Sequence, residues 1–236
     1  MADQSGKGKV KLRWIGHAAF EIESSSGTKL LIDPFIKDNP VAPEPLKNLD
    51  RYKGADKPTA ILVSHSHGDH SADAKEIAKL SGAPVVGMIE WVSALGLPQE
   101  QAKGGNIGGE FRIGDVSINL VPATHSTDGG SPIGFVVRFA DGRSLYHTGD
   151  TWIMSDMALI HEVHRPDIVL TCAGGGPFTM SSKVAVLAMK KFFQPSVIVP
   201  MHYGTFPVIE TEAQVRSAFA GDSRALIMKP GESKTV

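Results

Sequence analysis

The run His65-Ser66-His67-Gly68-Asp69-His70, placed directly after the apolar segment Ala60-Ile61-Leu62-Val63, restricts this chain more than any other stretch of it. Three imidazoles and a carboxylate so close together at a strand end can turn several metal-coordinating atoms toward one point. The run cannot complete such a centre alone, because each metal ion takes three or four protein ligands and keeps a position for water. The fold must therefore bring this strand end to an accessible edge and deliver further ligands there.

Three later residues fit that requirement. His125 ends the segment Ser117–Thr124, which alternates and then turns; Asp150 follows Leu145-Tyr146-His147-Thr148-Gly149; His202 follows Ser196-Val197-Ile198-Val199-Pro200-Met201. Each sits just beyond the C-terminal end of a predicted strand, where the ligand-bearing loops of layered α/β proteins gather.

Periodicity predicts a strand-rich opening, with strands at 11–15, 20–23 and 29–32 as a meander. Next come a strand at 60–63, a helix near 72–80, a strand at 84–86, a short helix around 91–95, strands at 111–113 and 116–120, and a hairpin of 134–139 with 144–147 across Asp141-Gly142. Helices at 156–163, 183–192 and 213–218 then alternate with strands at 168–172 and 197–199, and a last strand is predicted near 225–228. Two sheets, each covered by helices, follow from this order.

With 236 residues and 42% hydrophobic content, a single domain over residues 10–236 is expected. Residues 1–9 are small and polar, which predicts a disordered leader; with no apolar targeting segment and no stretch of membrane-spanning length, the chain reads as cytoplasmic with no membrane partner. A formal charge of -1 gives no attraction to phosphate polymers, so nucleic acid is not the expected partner. The single cysteine, Cys172, lies in an apolar run and is expected to pack as a small buried side chain.

Some stretches admit two readings. Residues 34–58 carry five prolines and little periodicity, which suits a lid or pocket wall and equally a solvated excursion or oligomer contact. Gly174-Gly175-Gly176-Pro177 precedes a helix whose first N–H groups could hold a phosphate, although a simple chain reversal explains the glycines too. His161-Glu162-Val163-His164 is one residue short of the His-Glu-x-x-His zinc pattern and is read as helix surface, while His147 is read as a structural histidine.

The order His-x-His-x-Asp-His, lone His, Asp, last His resembles the ligand pattern of the metallo-β-lactamase superfamily, with every position filled. Trp14-Ile15-Gly16-His17-Ala18, Ile32-Asp33-Pro34-Phe35, Asn39-Pro40, Phe178-Thr179-Met180 and Met201-His202-Tyr203-Gly204-Thr205 are similar to its branch of small metal-dependent hydrolases, among them the ascorbate-6-phosphate lactonase-like proteins. The resemblance implies an α/β four-layer αββα sandwich with a dinuclear centre at one edge of the two sheets. It implies that His65, His67 and His125 hold one metal, that Asp69, His70 and His202 hold the other, and that Asp150 bridges them. Asp33 would accept a hydrogen bond from a ligand imidazole and fix its tautomer. His17, Phe178, Thr179, Met180 and Tyr203 become candidate substrate contacts, and a homo-oligomer is implied.

Imidazole and carboxylate suit zinc first, with manganese, iron or nickel also open. Two such cations acidify a water and polarise a carbonyl or phosphoryl oxygen, so no side-chain nucleophile is needed; Asp69 would then return a proton to the leaving group. The expected activity is hydrolysis of a small-molecule ester or lactone. The alternatives are a phosphodiesterase or nuclease on the same centre, and a non-catalytic metal- or ligand-binding module. The short interval between Asp150 and His202 and the absence of a basic excess speak against a nuclease.

Overall fold

Alternating apolar positions in the first half of the chain are shared between two cores, and this builds the layers. The computed structural model describes residues 7–236. Strands β1 (Lys11–Gly16), β2 (Ala19–Glu23), β3 (Lys29–Ile32), β4 (Ala60–Leu62), β5 (Val85–Met88) and β6 (Ala102–Gly105) lie side by side in that order. On β3 and β4, Leu30, Ile32, Ala60 and Leu62 face the core between the sheets, whereas Leu31 and Ile61 face a smaller core beneath helices. That period of two is what a sheet covered on both faces demands.

The second sheet is made of β7 (Glu110–Ile113), β8 (Val116–Pro122), β9 (Ile133–Arg138), β10 (Ser144–His147), β11 (Ile168–Cys172) and β12 (Val197–Met201), again adjacent in chain order. Its strands β7 to β10 pair antiparallel, while β10, β11 and β12 run parallel. In the first sheet the change from antiparallel to parallel comes at β3.

Helices complete the layers: α1 (Glu44–Lys47), α2 (Gly68–Ser71), α3 (Ala74–Ser81) and α4 (Ile89–Ala94) fall in the half that forms the first sheet, and α5 (Asp156–His164), α6 (Ser182–Phe192) and α7 (Glu212–Phe219) in the half that forms the second. Helix α6 starts where Ser181 caps the Val184 N–H, and α7 starts at a capping box of Thr211 with Gln214. No helix of the described residues is long and apolar enough to cross a membrane.

Several sequence expectations need correction. Residues 225–228 make no strand; Ala225 forms one isolated bridge to Ile198, and the last strand is instead β13 (Ser233–Thr235), antiparallel at the edge of β1. Its residues are all exposed and polar, so backbone pairing alone defines it. Strand β6, Ala-Lys-Gly-Gly, is half-buried and has no apolar alternation to mark it as a strand. Residues 34–58 are not a solvated excursion: Ile36, Ala42, Leu49 and Tyr52 are buried with Ala74, Ile77 and Ala78 of α3, and the Asp73 carboxylate accepts the N–H groups of Ile36 and Lys37 at 2.7 and 2.9 Å. Of the leader expected over 1–9, residues 1–6 lie outside the described residues. Lys7 is paired with Asp167 at 2.7 Å, and the Gly8 carbonyl accepts Arg143 Nε at 3.0 Å.

Candidate metal centre

Each candidate ligand leaves a strand at the same edge of the sandwich. His65 and His67 follow β4, His125 follows β8, Asp150 follows β10, and His202 follows β12 directly. The short helix α2 does the rest: His67 stands at its N-cap with an extended backbone, and the N–H groups of His70 and Ser71 bond back to the His67 carbonyl. This single turn carries Asp69 and swings His70 back beneath His65, their rings 4.2 Å apart. Ser66 ties this loop to the one bearing His125, through Thr127 Oγ1 at 2.9 Å and the Asp128 N–H at 2.8 Å.

The seven sequence-predicted ligands converge. One ring nitrogen each from His65, His67 and His125 lie within 4.8 Å of one another, as do ligand atoms of His65, His70 and Asp150. A third set joins Asp69, His70 and His202, and adds His17. Asp150 Oδ2 stands between them, 2.9 Å from His202 Nε2, 3.3 Å from His70 Nε2 and 3.7 Å from His125 Nε2.

Hydrogen bonds fix the orientation of the groups around this cluster. Asp33, fully buried, takes the Ser64 N–H on Oδ1 at 2.7 Å and, on Oδ2, the Ser64 hydroxyl at 2.7 Å and His70 Nδ1 at 2.8 Å. That contact puts the His70 proton on Nδ1 and turns the Nε2 side toward Asp150. His147 accepts the Gly149 N–H on Nδ1 and donates Nε2–H to the Ala18 carbonyl, so both its nitrogens are used away from the cluster.

Charge is distributed to match. Burial pushes the Asp150 carboxyl upward, but His202 and His70 opposite it outweigh that and hold it well below the usual carboxylate range. Burial lowers His65 to about 3, with His70 adding to the effect, and lowers His17 to about 4, with His202 adding. His70 goes the other way despite burial, because Asp150 and Asp33 flank it. Cys172 is buried and pushed up to about 12, chiefly by that burial, which makes it a poor nucleophile.

The fit of this site to metal ions can be tested on unpaired atoms. Of six buried side-chain nitrogen and oxygen atoms without a hydrogen-bond partner among the described residues, four, His70 Nε2, Asp150 Oδ1, His202 Nδ1 and His202 Nε2, belong to candidate ligands. Such atoms are costly in a protein interior unless a further group satisfies them, and imidazole nitrogen with carboxylate oxygen is a donor set for a divalent cation.

Above the cluster lies a cavity of about 530 Å³, lined by His67, Asp69, His125, Ser126, Asp150 and His202 on one side and by Pro177, Phe178, Phe206 and Val208 on the other. Of the expected substrate contacts, Phe178 lines it, 54% exposed. The others do not line it. His17 is fully buried and bonded to Asp69 and Thr205; Met180 is fully buried; Tyr203 is buried and donates its hydroxyl to the Met228 carbonyl; Thr179 lies outside the lining. The helix α6 N-terminus holds no open anion site either, since Ser181 caps it and the Ser182 N–H meets Glu210 Oε1 at 3.2 Å. Phe206 and Val208 were missed; their only signal was apolar side chains in an aperiodic loop after His202.

Comparison with known proteins agrees with this architecture. The sequence profile of the Beta-lactamase superfamily domain matches residues 11–202. A metal-dependent hydrolase of Archaeoglobus fulgidus is 41% identical over 238 residues, covering 95% of this chain and 98% of its own. One of Methanopyrus kandleri is 40% identical over 238 residues, covering 95% and 99%. Among solved structures, the metallo hydrolase Igni18 of Ignicoccus hospitalis is 36% identical with a TM-score of 0.83, covering 97% of this chain and 98% of its own. The metallo-beta-lactamase fold protein YhfI of Bacillus subtilis, 18% identical, shares the fold with a TM-score of 0.74, covering 98% and 100%.

Proposed function

This chain belongs to the metallo-β-lactamase superfamily, and from that premise we propose that it is a metal-dependent hydrolase of a small, uncharged carboxylic ester or lactone. The observation that carries the reading is the convergence of five histidines and two aspartates on one point, with unpaired buried atoms on three of them. His65, His67 and His125 would hold one divalent cation; Asp69, His70 and His202 would hold a second; and Asp150 faces both sets. Zinc suits these donors best, with manganese, iron or nickel as further occupants. When bound, two cations supply an acidified water as nucleophile and polarise the substrate oxygen.

The side chains of the chain supply the rest. Asp69 is one-third exposed toward the cavity, so it can take a proton there and pass it to the leaving oxygen. Buried Asp33 keeps His70 in one tautomer throughout. Pro177, Phe178, Phe206 and Val208 give the substrate an apolar seat and exclude water from that side. Among the described residues no lysine or arginine lines the cavity, which favours a neutral carbonyl compound over a phosphodiester.

The test is steady-state turnover of the zinc-loaded protein on a panel of carboxylic esters, lactones and phosphodiesters. Hydrolysis of the esters or lactones, lost in His67→Ala and Asp150→Asn, is expected. Turnover confined to phosphodiesters removes the substrate assignment, and metal uptake without turnover on any of them leaves a binding module.

A further inference from the structure

The turn Gly16-His17-Ala18 joins β1 to β2 in the first sheet, yet it grips the loop that carries His202 out of the second. The His17 carbonyl accepts two hydrogen bonds, the His202 N–H at 2.9 Å and the Trp14 indole N–H at 2.9 Å. Its ring lies against that of His202, centroids 3.8 Å apart. To do this the His17 backbone stands at φ 56°, a left-handed conformation uncommon outside glycine.

The ring nitrogens are both engaged. Nε2 lies 3.0 Å from Asp69 Oδ2 and Nδ1 lies 3.0 Å from Thr205 Oγ1. An ionised carboxylate only accepts, so the proton between His17 and Asp69 belongs to Nε2. Nδ1 is then free to accept the Thr205 hydroxyl, whose other acceptor, the Tyr203 carbonyl, is farther away at 3.4 Å. Phe35 and Phe206 pack against the ring at steep angles, centroids 6.1 and 5.4 Å away, and close it off. Asp69 is partly exposed and stands on a single helical turn, so a buried partner restricts its side chain.

We propose that His17 is a positioning residue for the second cation site: Nε2–H holds Asp69 Oδ2, the oxygen that faces His202 Nε2 at 3.9 Å, the carbonyl and ring face fix His202, and Thr205 holds the tautomer that does so. His17 therefore acts through two ligands from opposite sheets and is neither a metal ligand nor a substrate contact. The proposal rests on the assignment of Asp69 and His202 to a metal site.

The experiment is zinc titration of the metal-free full chain against a chromophoric chelator, for wild type, His17→Asn, His17→Gln, Thr205→Val and Thr205→Ser, with far-UV circular dichroism and melting to establish folding. The Gln amide nitrogen reaches the place of Nε2, while the Asn amide reaches only that of Nδ1. His17→Asn is expected to bind the second zinc about 10–100-fold more weakly, as loss of a partner to a ligand does. His17→Gln should recover most of that loss, and Thr205→Ser should bind more tightly than Thr205→Val. Folded His17→Asn with both zinc affinities unchanged overturns the proposal and leaves the metal site intact. His17→Gln as weak as His17→Asn also overturns it, because the ring itself then does what the hydrogen bond was assigned. A wild-type chain that takes up no zinc removes the site reading and the proposal together.

Discussion

Replacing Asp33 by asparagine changes one oxygen to an amide nitrogen in a fully buried position, and the structure limits how the protein can respond. The Asp33 carboxylate accepts from the Ser64 N–H on one oxygen and from the Ser64 hydroxyl and His70 Nδ1 on the other. If the asparagine oxygen takes the Oδ2 place, its NH2 faces the Ser64 N–H at a former distance of 2.7 Å, and a backbone donor is orphaned. In the opposite orientation the NH2 faces His70 Nδ1, which must give up its proton to accept; the proton moves to Nε2, the nitrogen turned toward Asp150. The first arrangement loses stability and the second loses metal affinity. An orphaned donor together with the loss of charge-assisted bonds costs about 2–4 kcal/mol. For a chain of this size that lowers the melting temperature by about 4–16 °C, and the altered imidazole weakens metal binding by about 10–100-fold. Differential scanning calorimetry in chelator and zinc competition read the two effects separately. Asp33→Asn melting within about 2 °C of wild type, with unchanged zinc affinity, would refute the reasoning, since both orientations would then be harmless.

Other outcomes follow from single contacts. A Cβ on Gly174 would run into the His202 carbonyl oxygen and stand 2.8 Å from its Nδ1; Gly174→Ala should lose about 1–3 kcal/mol in urea unfolding and weaken zinc binding, and a variant as stable as wild type would show that the His202 loop yields freely. Asp222 lies below the ordinary carboxylate range, chiefly through hydrogen bonds from Arg224 at 2.6 and 2.8 Å. A depressed folded-state pKa means stability that is present above the unfolded value and lost as pH falls through the folded one, so Asp222→Asn should cost about 1 kcal/mol at pH 7 and progressively less below about pH 4. Zinc at about 100 times its dissociation constant should add about 2.7 kcal/mol over the chelator-treated chain, or about 5–11 °C in melting temperature; coincident melts would remove the metal assignment.

What could be read from the sequence divides along physical lines. The run from His65 to His70 was legible because its spacing is local: one helical turn suffices to gather its side chains. His125, Asp150 and His202 were legible because each follows an apolar strand, and strands show themselves by burial. Strands β6 and β13 stayed hidden because neither has an apolar alternation and both are defined by backbone pairing. Tyr203 misled for a related reason: it is the chain neighbour of a ligand, yet it packs on Trp14, with ring centroids 4.9 Å apart, and turns its hydroxyl to Met228. Sequence adjacency places a residue at the edge of the site without saying which way it points. The apolar cavity wall and the role of His17 depend on loops from distant segments meeting, and no local pattern encodes that.

The backbone itself carries a trace of this demand. Among the described residues, His17, Asp33, Arg165 and His202 are the non-glycine residues with positive φ, at 56°, 45°, 44° and 65°. Arg165 closes helix α5, a position where the left-handed conformation is ordinary. The other three ring the metal centre, each just past the end of a strand, and each conformation costs about 1–3 kcal/mol wherever it is not imposed by its surroundings. Here the surroundings impose it: Asp33 is held by Ser64 and His70, the His17 carbonyl by His202 and Trp14, and the His202 N–H by His17. Asp33 is thereby fixed to the neighbouring loop of the first sheet, whereas His17 and His202 join the loops of the two sheets. The imidazoles and carboxylates that could hold a cation are thus turned toward one point by hydrogen bonds that begin in these three strained residues.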